Sequence, residues 1–268
     1  MQIESESQFI LRQLGLILKL PFVLVLALIG KRRFSEVFLP LTNMVRFYAQ
    51  PRATLLIFAA VTAVWIYQLF YMTEQQLNNL IFRPENLWNL QAMPIVASWF
   101  LHGSWTHYLG NMLFLYVFGR IVEKRLGSSM MLFVYFGSAI ISTGISAMLG
   151  EGGIGASGAI AGLISTAILV DPFYVTYVII GMPAPVFLVG WLAMLADITG
   201  VLVPKNDNIG HFAHLGGYLA VGVLFFLFSR KDRQRAIRGF MVNIAMLIIV
   251  VAAYCLLQQG FLKWPSIW

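Results

Sequence analysis

Long stretches without a charged side chain are the feature that most restricts how this 268-residue chain can fold. Each is close to or above the roughly 20 apolar residues with which a helix crosses the hydrocarbon layer of a membrane. Charged residues make up only 11% of the chain, against about 25% in a water-soluble domain. The sequence therefore predicts an all-α polytopic membrane protein with seven spans, over residues 53–73, 86–119, 126–150, 152–170, 172–196, 208–229 and 239–262.

The net charge of +7 is distributed unevenly along the chain. If the N-terminus is cytoplasmic and the chain crosses seven times, 15 of the 18 basic residues lie on the cytoplasmic side. Only Arg83, Lys205 and Lys263 then lie outside. This asymmetry follows the positive-inside rule and predicts that orientation. Because the basic clusters are short turns at helix ends, we expect a lipid bilayer as partner and no nucleic acid.

The first 50 residues precede the predicted spans. The opening MQIESES is acidic and polar, whereas a cleavable signal peptide begins with basic residues. The apolar run 20–30 is too short to cross a bilayer alone, so we expect it to lie in the interface. No organelle-targeting pattern is visible, and the expected location is a prokaryotic plasma membrane.

Polar residues at membrane depth are costly and mark functional sites. The predicted topology brings a glycine-flanked serine, Ser157 in GIGASGAIAG (153–162), to the outer leaflet together with all four histidines: His102, His107, His211 and His214. A serine needs a neighbouring base to become nucleophilic, and free N–H groups at a helix start can stabilise an oxyanion. Ser157 is therefore a candidate nucleophile, although Gly/Ala/Ser-rich stretches are also typical of helix packing.

Two further groups complete a candidate hydrolytic site. His214 is followed by two glycines that allow its helix to approach the serine helix closely, which makes it a candidate base; capping of the helix is the alternative. His107 and Asn111 are spaced i, i+4 and project from one helical face. Both can donate hydrogen bonds to an oxyanion, and each such donor is worth roughly 3–4 kcal/mol. A polar pair at the water interface is the alternative for them.

Three segments resemble the rhomboid family of intramembrane serine proteases, in the family's order. They are FLHGSWTHYLGNMLFLYVFG (100–119), GIGASGAIAGLI (153–164) and AHLGG (213–217). The resemblance implies Ser157 as nucleophile, His214 as general base, and an oxyanion hole of His107, Asn111 and the Ser157 N–H.

The resemblance also implies the architecture. It implies a six-helix bundle over residues 51–230, preceded by a cytoplasmic or interfacial segment (1–50). Residues 231–268 would add a basic loop and a seventh transmembrane helix. A cavity open to the extracytoplasmic side would admit water, substrates would be transmembrane proteins, and no metal or organic cofactor would be needed.

Some positions depart from the pattern of the family. A Trp-Arg pair of the first external loop is replaced by Met93 and Pro94, so we expect different anchoring of that loop. An aromatic residue that stacks on the catalytic histidine is replaced by Ala161. Gly216 and Ala220 form the small-xxx-small pair expected to pack span six against span four.

Two residues beside the candidate base need their own interpretation. His211 lies about one turn from His214, and we expect it at the water-exposed rim. Asp197 is the acidic residue within span five, and we expect it to project away from the histidine of span six. A structural role or a protonated carboxyl follows, with Asp197→Asn keeping most activity.

A second function remains open, that of a catalytically silent rhomboid-like protein that binds membrane clients. Such relatives typically lose the serine or the histidine, and this chain has both. A transporter is disfavoured because no inverted repeat is visible. A metalloprotease is disfavoured because no HExxH helix occurs.

Overall fold

The computed structural model describes residues 6–179, 182–203 and 209–258. Lys205 and Lys263, predicted on the outer side, lie outside the described residues. The described parts of the chain form thirteen α-helices and one hairpin. The helices are α1 (Glu6–Leu18), α2 (Leu20–Leu28), α3 (Leu39–Tyr48), α4 (Arg52–Tyr71), α5 (Glu74–Leu80), α6 (Pro84–Trp88), α7 (Ala92–Ser98), α8 (Trp105–Leu126), α9 (Ser128–Met148), α10 (Ser157–Val170), α11 (Val186–Leu202), α12 (His211–Leu224) and α13 (Arg230–Gln258); strands β1 (Val175–Ile179) and β2 (Met182–Pro185) form the hairpin.

The helices agree with the prediction of an all-α polytopic membrane protein. By length and composition, α4, α9 and α13 can each cross a membrane, and α1 with α2 form a pair bent by 46° that could be a fourth span. The segments 157–170, 186–202 and 211–227 are shorter apolar helices. Helix α8 has 22 residues and ends in a charged turn. Seven helices, α4 and α8 to α13, thus overlap the seven uncharged stretches.

Helix α10 forms the centre of the bundle. Of its 14 residues, 12 are buried, and it contacts α8, α9, α11, α12 and α13. A helix that is apolar all round belongs in such a position, because every face meets another helix. The nucleophile candidate Ser157 is its first residue.

Small residues let α10, α9 and α12 approach closely. A Cβ added at Gly217 would overlap the Gly158 carbonyl oxygen, whereas one at Gly216 would lie 3.1 Å from Ser142 Cα. Gly217 therefore faces α10 and Gly216 faces α9, which corrects the predicted role of Gly216. Ser142 Oγ also donates a 2.5 Å hydrogen bond to the Ala213 carbonyl.

The hairpin differs from the predicted helical span over 172–196. Strand β1 pairs antiparallel with β2, with Val175 opposite Pro185 and Thr176 opposite Ala184. The segment contains three prolines, which cannot donate a helical hydrogen bond, and a run of β-branched residues, which favours strands. Helix α11 consequently starts at Val186.

The end of the bundle opposite Ser157 is basic, as the charge distribution predicts. Arg125 Nε donates to Asp171 Oδ2 at 2.6 Å, and Arg235 Nη1 donates to the Arg125 carbonyl at 2.8 Å. These contacts join the C-terminal ends of α8 and α10 to the first turns of α13. We call this region, with Arg120 and Lys124, the basic end.

The N-terminal helices pack against the basic end. Phe9 of α1 stacks on Phe47 of α3 with ring centroids 3.8 Å apart, and the Arg120 guanidinium lies 4.3 Å above the Phe47 ring. The apolar run predicted at residues 20–30 forms α2, which has no buried residue.

Candidate active site

A glycine-rich loop delivers Ser157 to the start of α10. Gly155 has φ +135°, a conformation that side chains rarely adopt. Its N–H donates to the Ser98 carbonyl at 2.7 Å, and Gly153 exchanges backbone hydrogen bonds with Phe82. These bonds tie the loop to the segment between α5 and α8.

His107 lies directly above this loop. The Gly103 N–H donates to His107 Nδ1 at 3.4 Å, so the ring proton resides on Nε2. A Cβ added at Gly155 would lie 2.7 Å from His107 Nε2 and 3.6 Å from Ser157 Oγ. His107 Nε2–H therefore points into the space above Gly155, beside the serine hydroxyl, where an oxyanion donor is required.

Asn111 lies one turn further along α8 and is only 7% exposed. Its Nδ2 is buried without a hydrogen-bond partner among the described residues. An unpaired buried amide costs about 1–3 kcal/mol of stability, and a group bound at the site could accept a hydrogen bond from it.

His214 is in the first turn of α12. A Cβ added at Gly158, the residue after the serine, would lie 3.5 Å from the Ala213 carbonyl oxygen. His107 also interacts electrostatically with His214. Among the described residues, however, the hydrogen bond of the His214 side chain runs to Asp197, and none joins it to Ser157 Oγ.

Asp197 projects toward the candidate base, and the prediction that it points away from span six is wrong. Asp197 Oδ1 lies 2.7 Å from His214 Nδ1 and 2.9 Å from His211 Nδ1. Tyr218 donates its hydroxyl hydrogen to Asp197 Oδ2 at 2.9 Å. The charge of Asp197 was visible in the sequence, but the rotation of α11 that directs it to α12 was not.

His211 is also placed differently from its prediction at the water-exposed rim. Its side chain is 13% exposed, and a Cβ on Gly200 of α11 would overlap its ring. The ring thus fills a gap between α11 and α12 and shares the carboxylate of Asp197 with His214.

His102 is fully buried beside His107, with ring centroids 5.0 Å apart. Gln68 of α4 holds its backbone, because Gln68 Nε2 donates to the His102 carbonyl at 2.6 Å and the His102 N–H donates to Gln68 Oε1 at 3.1 Å. Burial, together with the neighbouring His107, lowers the pKa of His102 to about 4. The sequence analysis missed Gln68, whose signal is an amide in an otherwise apolar span.

A family model described as the Rhomboid domain matches residues 85–232, more than half of the chain. The chain belongs to the rhomboid family. The predicted resemblance is thereby confirmed, and the matched region includes all four candidate site residues of this rhomboid protein.

Curated relatives agree with this membership. The chain is 26% identical over 196 residues to "RHOMBOID-like protein 12, mitochondrial" of Arabidopsis thaliana, which covers 66% of this chain and 58% of that protein. It is 31% identical over 144 residues to "Putative rhomboid protease YdcA" of Bacillus subtilis (strain 168), covering 53% and 69%. A third relative is "Rhomboid-like protein 11, chloroplastic" of Arabidopsis thaliana, at 27% over 145 residues, covering 50% and 52%. The chain thus spans little more than half the length of the two plant relatives.

Proposed function

We propose that this rhomboid protein is an intramembrane serine endopeptidase with Ser157 as nucleophile and His214 as general base. The observation that carries the proposal is the arrangement beside Ser157. His107 Nε2–H is directed to the space beside Ser157 Oγ, and Asn111, one turn further along α8, has a buried amide with no partner among the described residues. Donors fixed in a low-dielectric site stabilise a developing oxyanion without reorganisation.

The chemistry then runs through these four residues. His214 takes the proton from Ser157 Oγ while this oxygen attacks the carbonyl carbon of the substrate. His107, Asn111 and the Ser157 N–H hold the resulting oxyanion. His214 gives the proton to the leaving amine, and the same base activates a water molecule that hydrolyses the acyl-enzyme.

The membrane arrangement of the proposal has six core spans, α4 and α8 to α12, followed by α13 as a seventh. The domains are the N-terminal segment 1–50, the catalytic core 51–230, and the basic loop with the last helix, 231–268. Substrates would be transmembrane segments that enter past α11 and unwind at the cleaved bond.

The proposed location is the plasma membrane, with the basic end cytoplasmic and the site opening outward. The clustering of Arg125 and Arg235 at the end opposite Ser157 supports this orientation through the positive-inside rule. The names mitochondrial and chloroplastic belong to the two plant relatives, whereas the relative from Bacillus subtilis is bacterial. Cell fractionation, with protease accessibility of the basic end, tests both parts.

A second candidate function is that of a silent rhomboid-like protein that binds membrane clients. One observation favours it: Ser157 and His214 are not hydrogen-bonded to each other in the described structure. Hydrogen bonds between catalytic groups are, however, often long in substrate-free enzymes.

Cleavage of a model transmembrane substrate by the purified protein distinguishes the two functions. Wild type is expected to cleave, while Ser157→Ala and His214→Ala abolish cleavage and retain cooperative unfolding. A fluorophosphonate probe should label Ser157 in wild type only. If wild type neither cleaves nor becomes labelled, the client-binding function replaces the protease.

A further inference from the structure

The carboxylate of Asp197 is the meeting point of three hydrogen-bonding side chains of α12, namely His211, His214 and Tyr218. Only 9% of the Asp197 side chain is exposed. An ionised carboxylate can accept from all three groups at once, because its two oxygens offer about four acceptor sites. The arrangement therefore favours an ionised acceptor and argues against the expected protonated carboxyl.

We propose that Asp197 is a positioning residue that extends the Ser157–His214 pair to a triad. The inference rests on the proposed protease function. A carboxylate oxygen opposite His214 Nδ1 requires the ring proton on Nδ1, which leaves the lone pair on Nε2. That tautomer can accept the proton of a serine, and the nearby negative charge stabilises the imidazolium formed by the transfer.

Asp197 also compensates for a residue that the family pattern leads one to expect. In the pattern of the rhomboid family, an aromatic ring four residues after the serine stacks on the histidine. Here that residue is Ala161, which packs against Gly217 of α12. The His214 ring is held instead by α11, through Asp197. His211 and Tyr218 restrain the carboxylate, so that its orientation does not depend on His214 alone.

The same three groups, Asp197, His211 and His214, could in principle hold a metal ion, since their ligand atoms lie within 4.8 Å of one another. The nitrogen–oxygen distances of 2.7 Å and 2.9 Å are those of direct hydrogen bonds. Ligands of a shared zinc ion, each about 2.0–2.1 Å from the metal, would be about 3.3 Å apart. The distances thus fit direct hydrogen bonding and are too short for two ligands of one zinc ion.

The test is steady-state cleavage and fluorophosphonate labelling of Asp197→Asn, beside wild type. We expect a kcat about 10⁴-fold below wild type, as with triad carboxylates elsewhere, and a KM within about threefold of wild type, because Asp197 does not touch substrate. The labelling rate of Ser157 should fall with kcat.

Two carboxylates provide matched controls. Glu123 accepts four hydrogen bonds, from the Ala53 and Thr54 N–H groups and from two hydroxyls, at the basic end; Glu123→Gln should lower stability and leave kcat unchanged. Glu151 interacts electrostatically with His211 and His214, but its Oε2 has no hydrogen-bond partner in the described structure. Glu151→Gln should change kcat by less than about fivefold, the size of a screened charge effect.

The inference is overturned if Asp197→Asn keeps kcat within tenfold of wild type, or if Glu123→Gln lowers kcat equally. Should Asp197→Asn fail to fold, Tyr218→Phe and His211→Gln take its place, each with kcat reduced about three- to tenfold, as expected for loss of one hydrogen bond. An unchanged kcat in both also overturns it. An inactive, unlabelled wild type would instead refute the protease function itself.

Discussion

Two buried asparagines of this rhomboid protein allow a prediction in which stability and activity change in opposite directions. Asn111 is 7% exposed and its Nδ2 has no partner among the described residues. Asn243 of α13 is 9% exposed and fully bonded. It accepts from Trp191 Nε1 at 2.9 Å and donates to the carbonyls of Ile168 and Gly239 at 2.9 Å and 2.7 Å.

Replacing each asparagine by alanine should separate the two roles. Asn111→Ala removes a buried unpaired amide that costs about 1–3 kcal/mol, and after some loss of packing we expect a gain of about 1 kcal/mol in the free energy of unfolding. It also removes a proposed oxyanion donor, which should lower kcat about 10²–10³-fold. Asn243→Ala breaks three satisfied hydrogen bonds and should cost about 2–3 kcal/mol while kcat stays near that of wild type.

The assay pairs thermal unfolding in detergent with cleavage of a transmembrane substrate for the same preparations. The decisive result is the pattern across both variants. If Asn111→Ala lowers the unfolding temperature as Asn243→Ala does, its amide is a structural group and the reasoning fails. Retention of full activity by Asn111→Ala would refute the oxyanion role.

Three further predictions concern the loop, the helix contact and pH. Gly155 has φ +135°, and Gly155→Ala introduces a Cβ 2.7 Å from His107 Nε2. Because this Cβ should displace a proposed oxyanion donor, kcat should fall at least about 100-fold. An active variant would show that His107 can move freely. Gly217→Ala forces a Cβ into the Gly158 carbonyl, and unfolding in detergent should show a loss of about 1–3 kcal/mol from overpacking, unless α12 can shift. The pKa of His102 is lowered from 6.5 to about 4 by burial. The unfolded chain therefore binds the proton first, and the free energy of unfolding should decrease by roughly 3 kcal/mol as pH falls from 6.5 to 4. Scanning fluorimetry should show a shallower decrease for His102→Asn. Equal slopes for the two proteins would contradict the assignment of this pH dependence to His102.

The sequence alone determined the class of protein, because a chain with 59% hydrophobic and 11% charged residues can bury its apolar surface only in lipid. Local spacing also predicted that His107 and Asn111 share one face of a helix, since the helical repeat fixes i, i+4 neighbours wherever the helix lies. The order of the three motifs predicted family membership. Each of these inferences depends on composition, on the order of motifs along the chain, or on contacts within one segment.

Only the tertiary structure decided how the helices are rotated about their axes. In a water-soluble protein, a polar face and an apolar face reveal the rotation of a helix. A membrane helix is apolar toward both lipid and its neighbours, so this signal is weak. The sequence analysis therefore directed Asp197 away from α12, assigned Gly216 as well as Gly217 to the α10 contact, and placed His211 at the rim. Packing between α11, α12 and α10 changed all three assignments. Side chains that meet across two helices are selected by their shape and hydrogen bonding, and a pattern within one segment does not record such contacts.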